Sequence, residues 1–288
     1  MMSLSIADQS RPCHGRPVLK ALILLLALGG TSPGYAADPA GKIVMRKAAP
    51  NGAGVPQIDG GTSQDLAVWP ATLKYYKSGT FSCTSTIVGE NTIVTAAHCV
   101  VDATELTVEL DAGTFPVSCT RHPLFNRATL EADIALCYSA KAFPNTVGFE
   151  NLDVRSTRVQ VGSNLFLLGY GCRDVNAPFD AGQLYGGSAK VFQMAPTPTG
   201  HVRTKDGVVI CPGDSGGAAY VLAVDDKPVN PRSIVGINSG YIATDRISAI
   251  TGLSGVIAEF IRDWAADNKT LICGVHPDAR PCHDRFSP

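Results

Sequence analysis

Residues 210–224 read Ile210-Cys211-Pro212-Gly213-Asp214-Ser215-Gly216-Gly217 and then, without a break, the apolar run Ala218–Val224. Glycines on both sides of Ser215 allow a tight, strained turn that presents its hydroxyl and aims backbone N–H groups at one point. Gly, Ser and Asp are also ordinary turn residues, so by itself the segment fits a plain surface turn as well. The run that follows has the length and character of a strand. Outward from it the same signature recurs in Ala71–Tyr76, Ser85–Val88, Thr92–Val94, Leu106–Leu110, Ile134–Tyr138, Asn164–Leu168, Val208–Ile210 and Ser233–Ile237. Short β-rich runs broken by turn residues indicate an all-β barrel or sandwich. No fixed repeat suggests a solenoid. One helix is expected, Leu253–Ala266, where Val256, Ile257, Phe260, Ile261 and Trp264 recur at steps of three and four and mark a face that packs on the sheets.

Two other strings carry chemistry. Thr95-Ala96-Ala97-His98-Cys99 follows directly on the run Thr92–Val94, a place where neighbours can fix an imidazole while its ring faces outward. An isolated histidine is more often structural or merely exposed. In Ala132-Asp133-Ile134-Ala135-Leu136-Cys137 an acid is set among apolar residues. A buried carboxylate there needs a partner, and His98 is a candidate; a turn acid at a strand edge is the plainer alternative. The conjunction of the three strings, in the order His, Asp, Ser, is what gives each of them weight.

Composition narrows the class. The 288 residues suit one large or two modest domains. Charged residues make up 17%, below the roughly 25% of soluble globular proteins, which excludes a disordered solvating chain and a coiled coil. A formal net charge of −1 gives no electrostatic footing for nucleic acid. Residues 1–20 carry Arg11, Arg16 and Lys20 against a single acid, Asp8, and precede the apolar block Ala21–Leu28 and Tyr35-Ala36-Ala37. The block is far short of the roughly twenty residues that cross a bilayer, so residues 1–37 read as an export signal. Residues 38–57, rich in Ala, Gly and Pro and without a period, read as a pro-segment, leaving 58–288 as the mature chain with no membrane span. The expected destination is extracellular or periplasmic. Of nine cysteines, Cys13 precedes the apolar block and leaves with the signal. The even set of Cys83, Cys99, Cys119, Cys137, Cys172, Cys211, Cys273 and Cys282 in an exported chain argues for disulfides, for which about 105 pairings exist. There is no Cys-x-x-Cys, and His122, His201, His276 and His283 lack ligand spacing, so neither metal nor cofactor is expected.

Taken together, TAAHC at 95–99, DIAL at 133–136 and GDSGG at 213–217 resemble the chymotrypsin/trypsin family of serine endopeptidases, over Ile58 to about Trp264. The resemblance implies two antiparallel six-stranded β-barrels with the site between them and a C-terminal helix. It implies Ser215 as nucleophile, His98 as general base and acid, Asp133 as the orienting carboxylate, and the N–H groups of Gly213 and Ser215 as an oxyanion hole, roles that are the standard template for this triad. It also implies a zymogen: Ile58-Asp59-Gly60-Gly61 fits the start of the family's mature chain, and the freed amine of Ile58 would pair with Asp214. Asp59 replaces the usual aliphatic residue, and Gln57 is not the basic residue after which trypsin-like activators cut.

For specificity, Val209 stands where trypsin has its substrate-binding aspartate and is followed by Ile210, while Ser239 and Gly240 form the pocket wall; an apolar preference follows. Arg246 is either a solvated loop residue or a cation near the pocket. Within the resemblance, Cys83 pairs with Cys99, Cys119 and Cys137 fall on neighbouring strands, Cys172 substitutes for the usual partner of Cys211, and Cys273–Cys282 closes a tail loop. The partners implied are protein or peptide substrates and an activating protease, with the chain acting as a monomer. A binding or adhesion module that keeps the fold without turnover is the competing class.

Overall fold

The computed structural model describes residues 58–100, 105–155, 158–172, 174, 181–224 and 227–283. The expected export signal with Cys13, the pro-segment and Gln57 lie outside the described residues. Fifteen strands and one helix are described: β1 Thr62–Ser63, β2 Thr72–Lys77, β3 Thr80–Gly89, β4 Thr92–Thr95, β5 Leu106–Leu110, β6 Gly113–Pro116, β7 Ser118–Arg121, β8 Ala135–Tyr138, β9 Asn151–Leu152, β10 Asn164–Gly169, β11 Tyr185–Gln193, β12 His201–Lys205, β13 Ala218–Val224, β14 Lys227–Ile242, β15 Ile247–Gly252 and α1 Val256–Asp267. Among the described residues no helix is long and apolar enough to cross a membrane.

The strands form two units, antiparallel throughout except that the short β9 pairs parallel to β14 in the second. The first is ordered β6-β5-β2-β3-β4-β8-β7. Its end strands β6 and β7 are separated only by Val117, so they are two arms of one bent segment, and that bend curls the sheet round on itself. The second is ordered β1-β11-β10-β13-β14-β15-β12, and an added β11–β12 pairing closes six of these strands into a barrel. The fold is the chymotrypsin-like double barrel.

Alternation along β10 shows how the strands serve two cores. Leu165 and Leu167 face the interior of the second barrel with Ala189, Val191, Val202 and Ile250, whereas Phe166 and Leu168 face the cluster that runs from the first barrel to α1. Side chains on a strand alternate faces, so one apolar segment can line both. The helix begins three residues later than its periodicity suggests because Gly255, at φ 59°, turns the chain into it. Ile257, Ala258, Ile261, Trp264 and Ala265 form its buried face.

Four disulfides are present among the described residues: Cys83–Cys99, Cys119–Cys137, Cys172–Cys211 and Cys273–Cys282. The last closes a tail after α1 that reaches back to both units. Cys273 N donates to the Val88 carbonyl of β3 at 2.8 Å, Leu152 N of β9 donates to the Cys273 carbonyl at 2.9 Å, and Phe149 N donates to the Pro281 carbonyl at 2.8 Å.

Candidate active site

Strand pairing brings His98 and Asp133 together. β4 runs antiparallel to β8 with Thr95 opposite Ala135, so the chain leaving β4 and the chain entering β8 meet at one edge. Ala97–Val100 form a single 3-10 turn there, and Cys83–Cys99 ties that turn to β3. Asp133, fully buried, accepts from the His98 backbone N–H at 2.8 Å through Oδ1. Its Oδ2 lies 2.7 Å from His98 Nδ1. The two contacts hold both the turn and the ring. They satisfy the partner requirement that the sequence places on this acid.

Ser215 comes from the turn before β13. Its loop is held by backbone groups: Thr84 N donates to the Ser215 carbonyl at 2.8 Å, Gly216 N to the Asn238 carbonyl at 2.8 Å, and Gly217 N to the Asp214 carbonyl at 2.9 Å. The Thr84 hydroxyl on β3 donates to the Gly213 carbonyl at 2.8 Å and accepts from Tyr170 N at 3.0 Å. The first barrel thereby grips the loop of the second. Two glycines are required by geometry. Gly213 and Gly216 have φ of 101° and 82°, and a Cβ on Gly216 would meet the Thr95 hydroxyl and the Thr84 carbonyl. The Ser215 hydroxyl lies 3.5 Å from the Ser239 carbonyl. Among the described residues neither Gly213 N–H nor Ser215 N–H donates to a backbone acceptor.

His98, Ser215, Gly213, Ile210, Ser239 and Gly240 all line one cleft of about 170 Å³, joined by Lys77 and Tyr241. Val209 lies outside this lining. Fully buried, it bridges to Asp59, with N···O distances of 3.0 Å in both directions. Arg246 is half-exposed and paired with Asp59, Nη1 to Oδ2 at 2.8 Å and Nη2 to Oδ1 at 3.2 Å. The acid that departs from the family's aliphatic residue thus has its own cation, on the surface.

Sequence reasoning missed two contributors. Thr84 has no sequence signal beyond being a strand threonine. Ser239, read as pocket wall, also donates to Asp133 Oδ2 at 2.5 Å.

Asp214 is fully buried, accepting from Gly171 N at 2.7 Å and Cys211 N at 2.8 Å. Burial pushes its carboxyl up to about 8, against the pull of those two N–H groups. A folded value above the unfolded one means that the neutral acid stabilises the fold: the contribution is complete below about pH 4 and is lost as pH rises toward 8. The intact chain is therefore expected to lose on the order of a few kcal/mol between pH 4 and 8. Urea unfolding across that range should show the decline, and Asp214→Asn should flatten it.

Residues 58–262 match the family model described as Trypsin. Trypsin delta and Trypsin gamma of Drosophila melanogaster are each 26% identical over 272 residues, covering 87% of this chain and 100% of each relative. Trypsin beta of Drosophila erecta is 25% identical over 270 residues, with 87% and 100% covered. Sequence motifs, double barrel and family match agree, and the chain belongs to the trypsin family, carrying a serine protease domain of that type.

Proposed function

We propose that the chain is a secreted serine endopeptidase, made as a zymogen, in which His98, Asp133 and Ser215 hydrolyse peptide bonds through an acyl-enzyme. The observation that carries this reading is the His98–Asp133 pair, with contacts of 2.7 and 2.8 Å, set in the same cleft as Ser215. His98 Nε2 takes the Ser215 proton as Oγ attacks the scissile carbonyl. The resulting oxyanion is met by the N–H groups of Gly213 and Ser215. His98 then protonates the departing amine, and a water molecule repeats the sequence to release the acid and restore Ser215.

Ile210 at the cleft supports cleavage after apolar residues. A panel of peptide substrates differing only before the scissile bond is expected to be cleaved fastest after an apolar side chain. Fastest cleavage after Lys or Arg would refute the assignment.

Activation is assigned to a cut after Gln57. Ile58 is fully buried with φ 57°, a conformation that costs a β-branched residue roughly 1–3 kcal/mol. Cutting the bond before it removes the preceding carbonyl and with it that strain. The new amine would give buried Asp214 the cation that its raised pKa calls for. The family match begins at the same residue. N-terminal sequencing of active enzyme should return Ile58-Asp59-Gly60-Gly61, and activity should fall in alkali as an amine of ordinary pKa about 8, raised by pairing, loses its proton. Any other N-terminus on fully active enzyme contradicts the assignment. Removal of residues 1–37 on export and of 38–57 on activation would leave 58–288 as the working enzyme in an extracellular or periplasmic space.

A further inference from the structure

Behind Asp133, away from His98, the hydrogen bonds continue to a second imidazole. Ser239 sits on an irregularity of β14 between Asn238 and Gly240, and such bulges re-aim a side chain. Its hydroxyl oxygen is 2.5 Å from Asp133 Oδ2 and 3.3 Å from His201 Nε2. His201 opens β12 and is only 5% exposed. The adjoining segments are fastened together: Ala132 N donates to the Thr199 carbonyl at 2.8 Å. Leu130 and Ala132 take φ of 58° and 51°, conformations that persist in non-glycine residues only when their surroundings hold them.

Hydrogen counting fixes the direction. A serine hydroxyl has one proton and two acceptor lone pairs. The shorter contact puts that proton on Asp133, so a hydrogen bond between Ser239 and His201 requires the tautomer with Nε2 protonated, donating to Ser239. The same carboxylate oxygen then receives Ser239 on one side and His98 Nδ1 on the other. We infer that His201 is a positioning residue for the proposed reaction, donating to Ser239 so that this hydroxyl is fixed on Asp133 and moderates the carboxylate's hold on the His98 imidazolium. The inference rests on the reading of His98, Asp133 and Ser215 given above.

Burial holds the His201 ring below the ordinary histidine range, opposed by Asp133, by the Leu130 carbonyl and by Glu131, and assisted by Arg203. The ring therefore stays neutral with a single N–H, for which Ser239 and the Leu130 carbonyl compete. A donor to Ser239 strengthens the bond that Ser239 makes to Asp133, because chained hydrogen bonds polarise one another. Without it, more of the carboxylate charge is left for His98, and the imidazolium holds its proton to higher pH.

The test uses processed enzyme carrying His201→Leu or His201→Gln. It reads kcat and KM, the acid limb of kcat/KM, and the titration of the His98 Nδ1 proton resonance, which needs no turnover. The leucine variant is expected to lose about tenfold in kcat with KM within about twofold, and to move both the acid limb and the resonance midpoint upward by about half a pH unit. Glutamine, whose amide can donate to Ser239, should return both to near the parent values. If the leucine variant fails to fold, His201→Phe, which keeps a ring without a donor, carries the same expectation. An acid limb and a resonance midpoint that stay put in a folded donorless variant, or a shift that glutamine does not reverse, would overturn the inference. A resonance that shifts as expected in a chain that hydrolyses no peptide would uphold the relay and sink the hydrolytic reading.

Discussion

Replacing Ser215 with Ala is expected to lower kcat for peptide hydrolysis by on the order of a million-fold, and His98→Ala alone to cost about as much, as for a proposed pair that acts as one unit. The fold is expected to survive the serine change intact. Every strong bond of the loop is made by backbone groups or by neighbours: Thr84 N on the Ser215 carbonyl, Gly216 N on the Asn238 carbonyl, and the Thr84 hydroxyl on the Gly213 carbonyl, each at 2.8 Å. Among the described residues the Ser215 hydroxyl itself makes only the 3.5 Å contact to the Ser239 carbonyl. Steady-state kinetics on a good peptide substrate, with unfolding midpoints measured on the same samples, separates the two effects. A loss of less than about a hundredfold in a folded Ser215→Ala protein would mean that another group attacks the carbonyl.

The second large effect is on stability. Glu150 and Arg232 form a buried pair, 0% and 1% exposed, where the segment before β9 meets β14. Arg232 Nε lies 3.1 and 3.0 Å from the two carboxylate oxygens, Nη2 lies 2.5 Å from Oε1, and Nη2 also donates to the Val68 carbonyl at 2.7 Å. The guanidinium lies over the Trp69 ring, 3.9 Å from its centroid. Removing one partner leaves a charge buried without its counter-ion, so Glu150→Leu and Arg232→Met are each expected to cost about 3–5 kcal/mol. The double change to apolar residues of similar volume, Glu150→Leu with Arg232→Met, should recover most of that loss, since desolvating the native pair offsets much of its attraction. Urea unfolding of all four proteins at one pH, with disulfides intact, gives the cycle. A double variant that loses the sum of the single losses would show the pair to be no coupled unit.

Legibility in the sequence followed the local physics of each segment. Leu106–Leu110 and Ala218–Val224 are strands with the limits that their patterns suggest. β11 escaped because Gly186 and Gly187 break its apolar pattern; the structure needs them small, since a Cβ would press Gly186 on the Phe166 ring and Gly187 on Val208. Val208–Ile210 reads as a strand and is only a bridge to Asp59, its apolar side chains being demanded by the second core.

The three chemical strings were legible because each carries an unusual residue in a tight local context. Thr84, His201 and Ser239's bond to Asp133 were not, because register, a β-bulge and the docking of one barrel on the other bring them to the site. The buried Glu150–Arg232 pair has the same origin: its partners are 82 residues apart, and nothing near either one names the other.

A fluorophosphonate phosphonylates an activated serine and so probes the proposed nucleophile Ser215 without any need for turnover. Chain with its N-terminus at Ile58 should gain one adduct, located on Ser215 by mass mapping of the peptide that holds Gly213–Gly217, while Ser215→Ala should gain none. Processed, folded chain that stays unlabelled would leave a binding module built on a protease fold, and an adduct on another residue would rule out Ser215 as the nucleophile.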